Sequence, residues 1–257
     1  MPAPSVFSAL RHRDFRLFLG GQLVSQCGTW VQTVAQGWLV LQLTDSAFAV
    51  GLVTALGSLP ILLFTLYGGV VADRVDKRRF VILLQSGMLL EALALAVLTH
   101  LGLITVHLVM GLASFYGLLS AFEVPTRQSL VSEIVGKDDL MNAIALNSSA
   151  FNVARVIGPS IAGALIATVG LAACFYVNAA SYLAVLTGLL LMRVRRPAVP
   201  SRAPALGALK EGFGYIFGNP WPRALITIVA GFSVFGASPR RVTNAQSPVR
   251  FETYRRT

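Results

Sequence analysis

Long apolar runs separated by short polar connections organise this chain. Residues 17–44 and 46–72 contain no Asp, Glu, Lys or Arg, and neither do residues 156–192. A helix crossing the hydrocarbon of a bilayer needs about 20 apolar residues. Each of the first two runs exceeds that length, and the third holds the end of one crossing and all of another. The pattern predicts an all-α membrane protein with six spans, at 16–43, 47–72, 80–99, 104–124, 141–168 and 172–192.

Composition closes the soluble alternative. Hydrophobic residues make up 55% of the chain and charged ones 12%, whereas soluble domains are nearer a quarter charged. The first apolar run is too long for a cleavable signal peptide and lacks a small-residue cleavage pattern. It is expected to be the first span and the targeting signal together.

A net charge of +10 raises nucleic acid as a partner, but the placement of the charge speaks against it. Lys and Arg number three in the N-terminus (Arg11, Arg13, Arg16), four in 73–79, two in 125–140 and six in 193–223, while the connections at 44–46, 99–103 and 169–171 have none. This is the positive-inside pattern. It places the N-terminus and the 193–223 segment in the cytoplasm, for a protein of the bacterial inner (plasma) membrane. Six spans divide as three plus three, and an odd-numbered group used twice inserts in opposite orientations, the inverted-repeat plan of many transporters.

The expected organisation is a six-span unit over 1–192, a basic cytoplasmic connector over 193–220, a partial seventh span over 221–237 and a non-family, disordered tail over 238–257. Within the connector, Ala205–Phe217 is either a short amphipathic surface helix or a plain linker. The seventh run is stopped by Pro239 and the Arg240–Arg241 pair. The tail bears five arginines (240, 241, 250, 255, 256), which would lie outside if that run crossed, against the rule the rest obeys. It reads as a foreign reading frame or a damaged terminus.

The first span carries the clearest chemical signal. Gln22, Gln26, Thr29, Thr33 and Gln36 recur at 4, 3, 4, 3 spacing, which puts them on one helix face, with Ser25 and Gln32 flanking it. Amides facing lipid without partners are costly, so this face looks into the bundle or onto water. Two readings stay open: a transport-pathway lining offering hydrogen bonds to a small-molecule substrate, or interhelical glue.

Two ionisable groups fall near mid-membrane, Glu91 in the third span and Arg155 in the fifth. A charge there costs about 2.5–3.5 kcal/mol on insertion scales, so each is expected to have a partner or a water path. Glu91 is a candidate proton carrier. Arg155, sharing its face with Asn152 and Ser148, is a candidate for an anionic substrate group. The other reading is that the two charges neutralise each other.

Residues Gly69–Arg79 (GVVADRVDKRR) resemble the loop 2–3 signature of the major facilitator superfamily, G-x-x-x-D-R-x-G-R-R. Gly69, Asp73, Arg74, Lys77 and Arg78 match, and Asp76 replaces the second glycine. The resemblance implies a gate closed by contacts of Asp73 that lie partly in the C-terminal half of such transporters. Asp73 ends a helix, where the dipole disfavours an anion, so it needs a cation or a helix N-terminus. The plainer reading is a basic membrane-anchoring loop.

In span 5, Gly158-Pro159-Ser160-Ile161-Ala162-Gly163 resembles the G-P-x-x-G-G core associated with antiporters of that superfamily, with Ala145 and Ala154 where upstream glycines would stand. Three further segments, Gly21–Val40, Phe122–Leu130 (FEVPTRQSL) and Asn142–Gly163, resemble its enterobactin-exporter-like branch.

That resemblance covers residues from about 11 to 236. It implies the N-terminal half of a twelve-span transporter, with a six-helix bundle and a partial seventh helix. The implied function is proton-coupled efflux of a siderophore, drug or other small organic solute, with no cofactor beyond the proton gradient. A second transporter half, or a second copy, would complete it. The alternative is a non-transporting membrane fragment from a frameshifted or degraded gene.

Enzymatic and metal chemistry find no support. Cys27 and Cys174 lie far apart in apolar runs with no CxxC, as buried hydrophobes do. Gly136-Lys137-Asp138 lacks the earlier glycine and the hydroxyl residue of a phosphate loop. His12, His100 and His107 are scattered at membrane edges, where solvation is expected.

Overall fold

Asp76 shows how local chemistry sets an element boundary. Its side chain accepts a hydrogen bond from Arg79 N at 2.9 Å, so α3 starts at Lys77 rather than at the predicted residue 80. The computed structural model describes residues 7–193, together with 218 and 221. A 3-10 turn, Ser8–Arg11, precedes α1 (Arg13–Thr44), α2 (Ala47–Ala72), α3 (Lys77–His100), α4 (Val106–Thr168) and α5 (Leu171–Leu191). The predicted connector beyond Arg193, the partial seventh span and the tail fall outside the described residues, save those two positions. Ser46 caps α2 by accepting from Ala49 N, and Thr105 caps α4 by accepting from Leu108 N.

Among the described residues, four helices, α2 to α5, are long and apolar enough to cross a membrane. α1 is not one of them, because Gln22, Gln26, Gln32, Gln36 and Gln42 dilute its apolar character.

The predicted loop at 125–140 is helical instead. α4 runs through it, and the helical backbone breaks only at Gly136, at φ 72° and ψ −178°, where the missing Cβ removes the steric penalty of positive φ. The helix persists because Leu130, Val131, Ile134 and Val135 recur at helical spacing and are all buried in one core cluster. Pro125 also lies inside the helix. Helices α4 and α2 touch most closely where a Cβ on Gly117 would collide with the Gly57 carbonyl oxygen. In lipid such close backbone contact replaces the hydrophobic drive that assembles soluble bundles.

The core is two apolar clusters with a polar layer between them. One gathers Phe15, Phe18, Val81, Met88, Tyr182, Val185 and Leu189. The other gathers Val31, Leu39, Val40, Leu95, Val109 and Phe175. On α1 the interval between them holds Gln22, Ser25 and Gln26, with Gln32 just past Val31, all four buried.

The N-terminal turn is tied to the break in α4. Ala9 N donates to Asn142 Oδ1 at 3.0 Å, and His12 Nε2 lies 2.9 Å from Asp139 Oδ2, so His12 is paired rather than merely solvated. The Ser8 hydroxyl, then His12, hold the Asp139 carboxyl below its usual range. A carboxyl lowered in this way stabilises the fold above its ordinary value of about 4, and the gain is lost as pH falls through the depressed value. Asp139→Asn is therefore expected to speed hydrogen exchange at the Ala9 and Leu10 amides at neutral pH. Wild-type rates, corrected for intrinsic exchange, should approach the variant's as the medium is acidified.

Candidate functional site

The polar stripe of α1 lines two adjoining cavities. Gln22 and Gln26 are buried, Thr29 and Gln36 half-buried, and Thr33 exposed. A cavity of about 290 Å³ takes Gln22, Gln26, Thr29 and Thr33 as one wall, with Gln85, Tyr116, Glu123 and Arg127 among its other walls. A second, of about 210 Å³, takes Thr29, Gln32, Thr33 and Gln36 and adds the hydroxyls of Thr54 and Ser58. Thr29, Thr33 and Tyr116 belong to both. Each cavity alone is at or below the small end of sites for organic ligands, about 300–1,000 Å³.

Glu91 does not meet Arg155. Its carboxylate, 2% exposed, accepts from Gln32 Nε2 at 3.0 Å through Oε2 and at 3.3 Å through Oε1. Gln32 Oε1 accepts from Asn178 Nδ2 at 2.7 Å. Arg155 is exposed, and its guanidinium carbon lies 5.8 Å from the ring centroid of Trp30, within reach of a cation–π contact. The mutual neutralisation left open from sequence is thus overturned: Glu91 is held by Gln32 of α1 in the buried layer, while Arg155 lies against α1 on an exposed face. Asn152, also exposed, spends its amide on its own helix, donating to Ser148 O at 2.9 Å.

The sequence reading missed a second buried carboxylate. Glu123, 5% exposed, accepts from Gln85 Nε2 at 2.8 Å and from Arg127 Nε at 3.0 Å, both on Oε1. The signal was present as an i, i+4 Glu–Arg pair inside the FEVPTRQSL segment. Arg127 also lines a further cavity of about 360 Å³ beside the break in α4, with Asn147 and Ser148.

The gate-motif residues divide by role. Arg78 donates from Nε to Leu189 O at 2.7 Å and from Nη2 to Leu190 O at 2.8 Å, satisfying carbonyls at the end of α5. Lys77 pairs with Glu133 of α4. Asp73 is exposed at the end of α2, and no hydrogen bond or ion pair holds its carboxylate among the described residues. Arg74 is exposed. A Cβ on Gly69 would meet nothing within 4 Å; the close approach to α4 belongs to the neighbouring Gly68, which faces the Ala121 carbonyl.

In the antiporter-like motif, Gly158 packs on α1, where a Cβ would collide with Trp30 and lie 3.1 Å from the Cys27 carbonyl oxygen. Pro159 is half-buried and Gly163 exposed with open space around it. The buried rail is Ala150, Ala154, Gly158 and Ala162, every fourth residue; Ala145 is exposed.

A family model described as transmembrane secretion effector matches residues 4–239. The chain is 27% identical over 245 residues to the staphyloferrin A transporter of Staphylococcus aureus (strain NCTC 8325 / PS 47), covering 93% of this chain and 62% of that protein. It is 28% identical over 225 residues to the multidrug efflux pump Tap of Mycolicibacterium fortuitum, covering 82% and 54% respectively. To the enterobactin exporter EntS of Shigella flexneri it is 27% identical over 231 residues, covering 87% and 54%. The chain thus spans little more than half the length of these relatives.

Proposed function

The chain belongs to the transmembrane secretion effector family of the major facilitator superfamily, and from that premise we propose that it moves a small organic solute out of the cytoplasm in exchange for protons. The observation that carries the proposal is the α1 face. Five side chains at helical spacing line two cavities that share residues, and a carboxylate with no cation beside it among the described residues sits one amide behind that wall. Siderophores and drugs are the solute classes to try first, because the transporters it resembles are named for them. Arg155, charged, exposed and stacked on Trp30, is the group to meet an anionic solute.

The proposal includes six passes through a bacterial inner membrane with the N-terminus in the cytoplasm. The break at Gly136 divides α4 into arms at 106–135 and 137–168, each long enough to span, and α1 adds the remaining pass. The arrangement is a three-plus-three inverted repeat. A second transporter half, or a second copy, supplies the facing wall against Thr33, Asn152 and Arg155. Asp73 and its loop close the cytoplasmic side against that partner.

Everted vesicles from cells stripped of their own exporters test this with a panel of siderophores and dyes. Wild type is expected to give solute movement that follows an imposed pH gradient, and Glu91→Gln to reduce that component at least about tenfold, the effect of losing an essential proton site. Undiminished pH-driven flux in Glu91→Gln would remove Glu91 from the mechanism. Binding without flux in the wild type would favour the non-transporting fragment.

A further inference from the structure

The hydrogen bonds behind the α1 wall continue past Glu91. Gln32 donates to Glu91, Asn178 donates to Gln32, and Ser181 Oγ lies 3.2 Å from Asn178 Oδ1 and 2.7 Å from the Asn178 carbonyl oxygen. The four side chains come from α3, α1 and α5, and none is more than 7% exposed. Both amide donors, Gln32 Nε2 and Asn178 Nδ2, are directed toward Glu91, the order an ionised carboxylate demands, because it can only accept.

We infer that Ser181, Asn178 and Gln32 form a hydrogen-bond relay of reversible polarity, which passes the protonation state of Glu91 to α5 and to the wall of the Gln36-lined cavity. This rests on the reading of Glu91 as the proton carrier. When a proton binds Glu91, its new O–H needs an acceptor, and the donor edge of Gln32 faces it. A half-turn of the Gln32 amide presents Oε1 to Glu91 and swings Nε2 toward Asn178. The Asn178 amide must then turn as well, offering Oδ1 to Gln32 and Nδ2 to Ser181.

Ser181 is suited to both arrangements. Its hydroxyl can keep donating to the Asn178 carbonyl oxygen at 2.7 Å while its lone pairs accept from Nδ2. One O–H bond forms on Glu91, no other proton leaves its heavy atom, and the same heavy-atom positions serve both states. An amide left unturned would set two donors or two acceptors against each other in a buried layer, so the links turn together.

No cation competes for Glu91 among the described residues. The other titratable groups around it are Tyr116 of α4 and Tyr182 of α5, both of which also interact with Glu123. Gln32 lines a cavity, so its amide is where a solute and the proton come into contact. Gln32, Asn178 and Ser181 are positioning residues in this scheme, acting through Glu91.

The test uses the full chain in lipid nanodiscs with ¹⁵N in Gln and Asn side chains. Loss of signal in Gln32→Leu and Asn178→Leu assigns the two amides, and loss of a carboxyl infrared band in Glu91→Gln assigns Glu91. Both amide resonances are expected to move with the same pH midpoint as the Glu91 band. In Gln32→Leu the Glu91 band should still titrate while the Asn178 resonance stands still, and Ser181→Ala should cut the Asn178 shift several-fold. Gln32→Met, of similar volume and unbranched, repeats the measurement should the leucine variant not fold. An Asn178 resonance that follows pH without Gln32, or amides that stay fixed while Glu91 titrates, would overturn the relay and leave the proton carrier standing. A Glu91 band that never titrates would remove both.

Discussion

Arg127→Leu is expected to destabilise the protein by about 3–5 kcal/mol, the cost of stranding one partner of a buried ion pair. Arg127 and Glu123 are nearly enclosed, with side chains 12% and 6% exposed. Gln85 donates to the same Glu123 oxygen, but a neutral amide does not replace a guanidinium. The double variant Glu123→Gln/Arg127→Leu should recover most of the loss, because no charge is then left without its counterpart. Reversible denaturation in mixed micelles reads both. A single variant within about 1 kcal/mol of wild type would mean that water in the Gln22-lined cavity already solvates the carboxylate, and that the pair does little for the fold.

Gly28→Leu is expected to cost about 3 kcal/mol, at the upper end of overpacking. A Cβ at this position would collide with Ser181 Oγ and lie 2.7 Å from Asn178 Oδ1, so α1 and α5 must part before any larger side chain fits. The same separation lengthens the 2.7 Å bond from Asn178 to Gln32, and the variant should lose the pH response of the Asn178 amide along with its stability. Gly163→Leu is the matched control. Nothing lies within 4 Å of its built Cβ, and its stability should stay within about 0.5 kcal/mol of wild type. Equal losses in the two variants would mean that helix propensity, and not the α1–α5 approach, sets the effect.

The two glycines separate what the chain's pattern shows from what packing decides. Both fall in segments whose similarity to a transporter family is legible in sequence, yet only Gly28 holds two helices together. In the antiporter-like motif, Gly158 is pressed on Trp30 while Gly163 faces open space. In the gate motif the close approach belongs to Gly68 rather than Gly69. A motif records a spacing of small residues, but which of them meets a neighbour depends on the rotation of each helix about its axis.

The sequence by itself determined that this is a helical membrane protein, where most helices begin and end, that α1 carries one polar face, and which family the chain joins. Each follows from a local rule: apolar length against bilayer thickness, polar connections that bound the uncharged runs, and a 4, 3, 4, 3 polar spacing. Only the tertiary structure decided that Glu91 joins Gln32 and, through it, Asn178 instead of Arg155, that Glu123 and Arg127 line one cavity with Gln22, and that residues 125–135 continue a helix. Those facts depend on side chains brought together from positions 59 and 146 residues apart, as Gln32 is from Glu91 and from Asn178. Hydropathy along a chain carries no information on which faces of two helices will meet, because in lipid that choice is made by close packing and by the hydrogen bonds buried groups must find.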